Sequence, residues 1–213
     1  MDSILPSAEH KCCATHIYAN WRKKHKGAMF KRVFWAAAKC CTTTSFDEAM
    51  ENLKTLSREA HKDLMTQNPK YWSKAFFSTT SKCDIVDNNL SKTFNGFILE
   101  AREKPIISML EDIRVALMVR MQEKREKTFK KGGNICSRIM EKLEENKGIS
   151  RFCKTVWNGD TQYEVQHMDD RFTVDLEQKT CSCRAWDLNG IPCSHGVSAI
   201  FYMNFRLEDY VDD

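Results

Sequence analysis

Four residues near the C-terminus have the types and the spacing to hold a metal ion. Cys181, Cys183, Cys193 and His195 follow the pattern C-x-C-x9-C-x-H within fifteen residues. Three thiolates and one imidazole complete the tetrahedral shell of Zn2+ and leave no position open for water, which separates a structural zinc site from a catalytic one. One structural Zn2+ is therefore the expected cofactor, and its expected role is to build a fold. The competing reading is a set of small reduced cysteines beside an unrelated histidine. Four ligands this close together in the chain favour the metal.

The elements needed to bring these residues together can be read around them. Residues two apart in an extended segment point to the same side, so Cys181 and Cys183 can present both sulfurs from the end of a strand. Asn189-Gly190 and Pro192 are turn residues that can return the chain to that strand. Beyond His195, Val197, Ile200 and Phe201 fall at helical spacing, which places Cys193 and His195 at the start of a short helix. Upstream, Phe152, Lys154 and Val156 alternate with Cys153, Thr155 and Trp157, and Asn158-Gly159 follows. Strand-like segments at Tyr163–Val165 and Phe172–Leu176 come next. Alternation flanking Asn-Gly predicts a hairpin, so a small antiparallel sheet is expected to lead into the metal-binding segment.

The remainder reads as mostly helical. Ala8–Lys24 and Ala28–Cys41 carry apolar residues at helical spacing, and Ser45-Phe-Asp-Glu48 is a capping box that predicts a helix through Leu53. Asn68-Pro69 predicts another helix start. A second helical block is expected from Asn89 to about 102 and from Pro105 to about 127. In its second helix Ile106, Met109, Leu110, Ile113, Leu117 and Met121 form an apolar stripe that reads as a core face. Gly132-Gly133 is the candidate linker, followed by a short helix near Ile139–Glu145.

Composition bounds the partners. The chain has 213 residues, is 42% hydrophobic and 29% charged, and carries a net charge of +4. These values suit a globular protein with one or two domains. It shows no apolar run of membrane-spanning length and no basic start followed by an apolar stretch, so no membrane partner and no secretion signal are expected. Ten cysteines without an export signal point to an intracellular reducing compartment. The seven outside the C-terminal cluster, Cys12, Cys13, Cys40, Cys41, Cys83, Cys136 and Cys153, read mainly as small buried apolar residues. Basic residues cluster at Arg22, Lys23, Lys24, Lys26, Lys31 and Arg32, and again at Arg120, Lys124, Arg125, Lys127, Lys130 and Lys131. Such clusters suit phosphate contacts, but Glu123 and Glu126 interleave the second, and the residues alone favour solvated helix faces with ion pairs. His10, Cys12, Cys13 and His16 resemble half of a second metal site but lack a second ligand pair, which favours a structural role.

Thr180–Ile200, with its Cys-x-Cys opening and Gly190-Ile-Pro-Cys-Ser-His195 close, resembles the SWIM-type zinc finger in the variant found in plant Mutator-like transposases. The upstream segments Ala8-Glu-His-Lys-Cys-Cys-Ala-Thr-His16, Ala75-Phe-Phe-Ser-Thr, Cys83-Asp84, Ile98-Leu-Glu-Ala-Arg102 and Lys104-Pro-Ile-Ile are similar to the same family in the same order. The resemblance implies an RNase H-like core with a helical insertion, in which two aspartates and a glutamate hold two metal ions for phosphoryl transfer. Both aspartates of the family pattern lie upstream of the segment at Ala8, where this sequence has seven residues, and they are expected to be absent. The glutamate position in Asn88-Asn-Leu-Ser-Lys92-Thr-Phe-Asn95 is lysine, whose ammonium repels the cations it should bind. Asp84 and Asp87 are close by but read as cap and loop residues.

The resemblance therefore implies an α+β chain in three parts: a mostly helical, truncated transposase-core remnant at 1–131, a linker and short helix at 132–150, and a sheet with a SWIM finger at 151–213, the finger itself at 180–203. It implies a catalytically inactive, nuclear, zinc-binding protein without a small-molecule substrate, whose partner is DNA or a nuclear protein. Arg22, Lys23, Lys24, Lys124, Arg125, Lys127 and the finger's Arg184 are the candidate DNA contacts. The alternative from a different class is a fragment of an active DDE transposase whose catalytic aspartates are encoded elsewhere.

Overall fold

The computed structural model describes residues 9–130 and 135–212, apart from the side chains of 90–92 and 128. Gly132-Gly133, Lys131 and the side chain of Lys92 lie outside the described part. The architecture is α+β, with helices and a four-stranded antiparallel sheet. The chain divides into two compact units, one formed by Met1–Asp87 together with Glu145–Asp213, the other by Asn88–Glu144. That division differs from linear cuts at 131 and 151, because the N-terminal helices and the C-terminal sheet belong to one body.

In the first unit, α1 (Ala14–Trp21), α2 (Ala28–Lys39), α3 (Thr43–Leu56) and α4 (Arg58–Met65) surround an aromatic core. Trp72 lies parallel to Phe34 with ring centres 5.4 Å apart, and its indole N–H donates to the Gln67 carbonyl at 3.2 Å. The Trp21 indole likewise donates to Ala60 at 3.0 Å. Each buried ring thus contributes apolar area, worth about 1.5–3 kcal/mol, without leaving its polar atom unpaired.

Several element boundaries differ from the sequence expectation for identifiable reasons. Helix α1 begins at Ala14 rather than Ala8, because the Cys12 and Ala14 amides donate to the Tyr71 and Val86 carbonyls at 2.7 and 2.8 Å. Those tertiary bonds hold the chain out of the helical ladder. Helix α3 is capped by Thr42, whose hydroxyl oxygen accepts from the Ser45 amide at 3.3 Å, so Ser45 is inside the helix and not its cap. Every residue of Thr42-Thr43-Thr44-Ser45 can cap, and the earliest start adds a turn before the buried face Phe46, Ala49, Met50 and Leu53. Ser57 ends α3 and caps α4, its hydroxyl accepting from Ala60. The Asn68-Pro69 start produces only 3-10 turns at Pro69–Tyr71 and Lys74–Phe76. Stacked Trp72 and the Ser73 hydroxyl, which donates to the Ala37 carbonyl at 2.6 Å, pin that segment to α2. The seven cysteines outside the C-terminal cluster are not fully buried as expected. Cys12 and Cys136 are exposed and the others half-buried, several of them at element ends.

The C-terminal part follows the predicted hairpin closely. Strands β1 (Cys153–Trp157), β2 (Gln162–His167), β3 (Asp170–Asp175) and β4 (Thr180–Cys181) form a meander in chain order. Gly159, at φ +92°, supplies the left-handed position of the first turn. Helices α8 (Ala185–Asn189) and α9 (Ser194–Tyr202) follow. Helix α8 joins the two parts of this unit: Leu188 is fully buried within the aromatic core of the N-terminal helices. Next to it the Arg184 guanidinium donates to the carbonyls of Cys41 and Phe77, each at 2.9 Å, and to that of Ala75. Lys82 also pairs with Asp212 at 3.1 Å.

The second unit contains α5 (Asn89–Phe97), a 3-10 turn at Ala101–Glu103 and α6 (Ile106–Lys130). Helix α7 (Ser137–Ser150), longer than the expected Ile139–Glu145, spans the boundary of the units. The stripe on α6 is not a core face. Ile106, Leu110 and Met121 are 63%, 56% and 71% exposed, and no described residue of α6 is buried. Ile107, Met118 and Val119 are exposed as well, so apolar residues occupy more than one side, and the 3-10 turn against which α6 packs is too short to cover it.

Leu188→Ala removes a fully buried side chain from the joint between the finger and the helical region. It is expected to lower stability by about 2–4 kcal/mol, read as a lower urea midpoint with an unchanged slope. An unchanged midpoint would mean that the two parts do not share this core.

Candidate metal centre

The site is assembled from β4, the turn after it and the start of α9. Cys181 is paired opposite Val174 of β3, and its amide donates to Asp187 Oδ2 at 3.0 Å. The chain turns sharply after Cys183 because Arg184 adopts φ +61°, with its amide donating to the Cys181 carbonyl at 2.7 Å. Ser182 ties this turn back to the sheet by exchanging hydrogen bonds with the Thr173 backbone. On the other side, Cys193 is the N-cap of α9, and its sulfur accepts from the Gly196 amide at 3.4 Å. A helix N-terminus favours negative charge, which suits a thiolate ligand. Gly196 is required here by packing: a Cβ at that position would lie 2.7 Å from Trp186 Cε3.

The donor atoms of Cys181, Cys183, Cys193 and His195 lie within 4.8 Å of one another. Cys181, Cys193 and His195 are buried and Cys183 is half-buried. His195 turns Nδ1 toward the sulfurs, 3.6 Å from Cys181 and 3.9 Å from Cys193. Metal–ligand bonds of about 2.0–2.3 Å in a tetrahedron put donors about 3.3–3.8 Å apart, so a small contraction completes the shell. The ionisation pattern has the same cause. The Cys181 thiol is held far above the ordinary thiol range by hydrogen bonding to Cys183 and Cys193, then by burial. Cys193 is held well below it, because Cys181 and Cys183 hydrogen-bond to its thiolate. Three neighbouring thiolates repel each other unless a cation sits among them, and Zn2+ supplies that charge. The donor set fits zinc with every position filled by protein, a structural centre and not a Lewis acid for substrate.

Residues 163–204 match the SWIM zinc finger. The match opens at Tyr163 in β2 and closes after α9, so it takes in β2 and β3 as well as the ligand segment, a wider span than 180–203, and leaves β1 outside. Zinc is the cofactor that this finger and the Cys/His cluster imply. No curated protein and no solved structure gives a significant match to the chain. Among the described residues no helix is long and apolar enough to cross a membrane.

The other predicted site residues are placed differently. Arg22 and Lys23, with Lys26, Lys31 and Tyr18, line an open cavity of about 600 Å³ beside the α1–α2 connection. Lys24 is 3.2 Å from Asp63, which also receives His25 at 3.0 Å. His25 first and Lys24 second hold the Asp63 carboxyl below its usual range, so Lys24 has an internal partner. Lys124, Arg125 and Lys127 are exposed on α6 in the other unit. Arg184 is a correction: its guanidinium is turned inward onto three backbone carbonyls, because the φ +61° turn aims it at the helical region. Cys13 occupies the N-cap position of α1 without a side-chain capping bond, and among the described residues His10, Cys12, Cys13 and His16 do not come together as a ligand group.

Sequence reasoning missed one neighbouring cluster. Cys153 and His167 face each other across β1 and β2, and a donor atom of each lies within 4.8 Å of one on His195. Asn158-Gly159 marks the hairpin but not this pairing: a two-residue turn there would set Cys153 opposite Glu164, whereas the observed connection runs from Asn158 through Thr161 into Gln162 and sets it opposite His167.

Zinc content measures the centre directly. Protein purified under reducing conditions is expected to carry one equivalent, and Cys183→Ser to lose it and become protease-sensitive after Thr180, because binding energy in such modules is folding energy. Less than half an equivalent after zinc-supplemented expression, or full protease protection in the variant, would contradict the structural role.

Proposed function

We propose that this chain is a catalytically inactive relative of the Mutator-like transposases, with the helical region a remnant of their core, and that it acts in the nucleus as a zinc-dependent DNA-binding protein. The observation that carries the reading is the union of two features in one unit. The SWIM finger is joined through Leu188 and Arg184 to the helical region whose α1–α2 connection carries Arg22, Lys23 and Lys26 and whose α2 carries Lys31. Closely spaced lysines and arginines around an open cavity suit a phosphate backbone, which is contacted without regard to sequence. In this arrangement the finger contributes to binding by holding the basic surface in shape, since Arg184 is committed to internal carbonyls.

Inactivity is supported by two residues. Lysine at position 92 stands where the resemblance requires a carboxylate. Asp84, one of the two acids that precede this motif in the chain, is ion-paired with Lys74 at 2.6 Å. A second reading, capture of a protein partner, is favoured by the exposed apolar residues Ile107, Met118 and Met121 of α6.

A gel-shift series with duplex DNA across salt concentrations tests the proposal. Affinity is expected to fall steeply with salt, and a Lys23→Ala/Lys26→Ala double variant to flatten the log–log slope by up to about 2. Removing zinc is expected to weaken binding although no finger side chain is assigned to phosphate. Affinity that ignores salt, the double variant and chelation together would exclude this surface and leave the protein-partner reading.

Magnesium or manganese is not expected to elicit strand cleavage or joining by the purified chain, and Lys92→Glu alone is not expected to create it, because one carboxylate cannot hold two metal ions. Metal-dependent nicking that disappears in Asp84→Asn would overturn the assignment as inactive.

A further inference from the structure

We propose that His167 is a positioning residue for the zinc centre: it accepts the hydrogen bond from His195 Nε2–H and so fixes the ring that presents Nδ1 to the metal. The inference rests on the zinc assignment made above. With Nδ1 facing the sulfurs of Cys181 and Cys193, a neutral His195 bound to zinc must carry its proton on Nε2. That nitrogen is buried, in a residue only 6% exposed, and among the described residues no backbone carbonyl or side chain bonds it. A buried N–H without an acceptor costs about 1–3 kcal/mol, and metal-bound histidines almost always satisfy it through a neighbouring group.

The structure puts two side chains within reach. Cys153 and His167 are cross-strand partners at one end of the β1–β2 ladder, and their donor atoms gather with one of His195 inside 4.8 Å. His167 is the better acceptor, because a neutral imidazole offers an sp2 nitrogen whereas a thiol sulfur accepts weakly. The ring centres of His167 and His195 are 5.6 Å apart. Two imidazoles joined by an N–H···N bond of about 3 Å have centres about 5.2 Å apart, so a sub-ångström shift on zinc binding closes the bond. Phe172 stacks on the His195 face at 3.8 Å and 14°, which restricts the ring to motion in its own plane.

The zinc-loaded full chain, labelled with 15N at histidine, provides the test. The wild type is expected to show His195 with Nδ1 metal-bound, a slowly exchanging Nε2 proton and a scalar coupling across the hydrogen bond to a His167 nitrogen. Zinc release to a colorimetric chelator is expected to be about tenfold faster or more in His167→Ala, to return close to wild type in His167→Gln, whose amide oxygen can accept, and to stay unchanged in Cys153→Ser. A rapidly exchanging Nε2 proton without coupling, together with unchanged release from His167→Ala, would overturn the proposal. Faster release from Cys153→Ser alone would transfer the role to the thiol and overturn it as stated. A second zinc equivalent lost in either variant would instead make the cluster a metal site of its own. Wild-type protein without zinc would remove the assignment beneath the proposal, a failure that the metal analysis reports before any spectrum is taken.

Discussion

Three thiols and an imidazole within 4.8 Å of one another are a constraint before they are a site. Ionised sulfurs at that range repel, protonated ones leave polar groups buried, and a divalent cation removes both problems at once. The surrounding structure is arranged to keep the donors there. Strand β4 is held to β3 through Cys181 and Ser182, the Arg184 turn redirects the chain, and α9 begins on the sulfur of Cys193. The nine residues between the two ligand pairs are therefore bounded by metal at both ends.

That bounded segment also carries the contacts that make one body of two distant stretches of chain. Helix α8 is only five residues long, below the length at which a helix is stable in water, yet it inserts Leu188 into the aromatic core and aims Arg184 at three carbonyls. Its conformation is supplied from outside, by the metal-bound residues that flank it and by the core that receives it. The zinc centre is thereby coupled to helices more than a hundred residues away in sequence. The union of finger and basic surface rests on this coupling.

The second unit follows a different logic. Helix α6 is 25 residues long, and its charged residues include i,i+3 pairs such as Glu111 and Arg114. Its apolar residues are too widely spread to be covered by one short 3-10 turn. A stripe at helical spacing shows which residues can share a face, but not whether another element exists to bury them.

The local chemistry of this protein was legible in its sequence. The C-x-C-x9-C-x-H spacing picked out four residues whose donor atoms the fold gathers within 4.8 Å, Asn158-Gly159 with its alternating flanks identified the hairpin, and the apolar run after His195 identified α9. These are features in which a few neighbouring residues decide the outcome. Tertiary structure decided the rest, because the deciding partner was remote in the chain. Tyr71 and Val86 shortened α1, Phe34 stopped a helix after Pro69, and the carbonyls of Cys41, Ala75 and Phe77 turned Arg184 from a candidate phosphate contact into an internal clamp. The pairing of Cys153 with His167 beside His195 needed both the strand register and the packing of α9 on the sheet. Spacing alone sets which side chains can meet, and long-range packing sets which of them do.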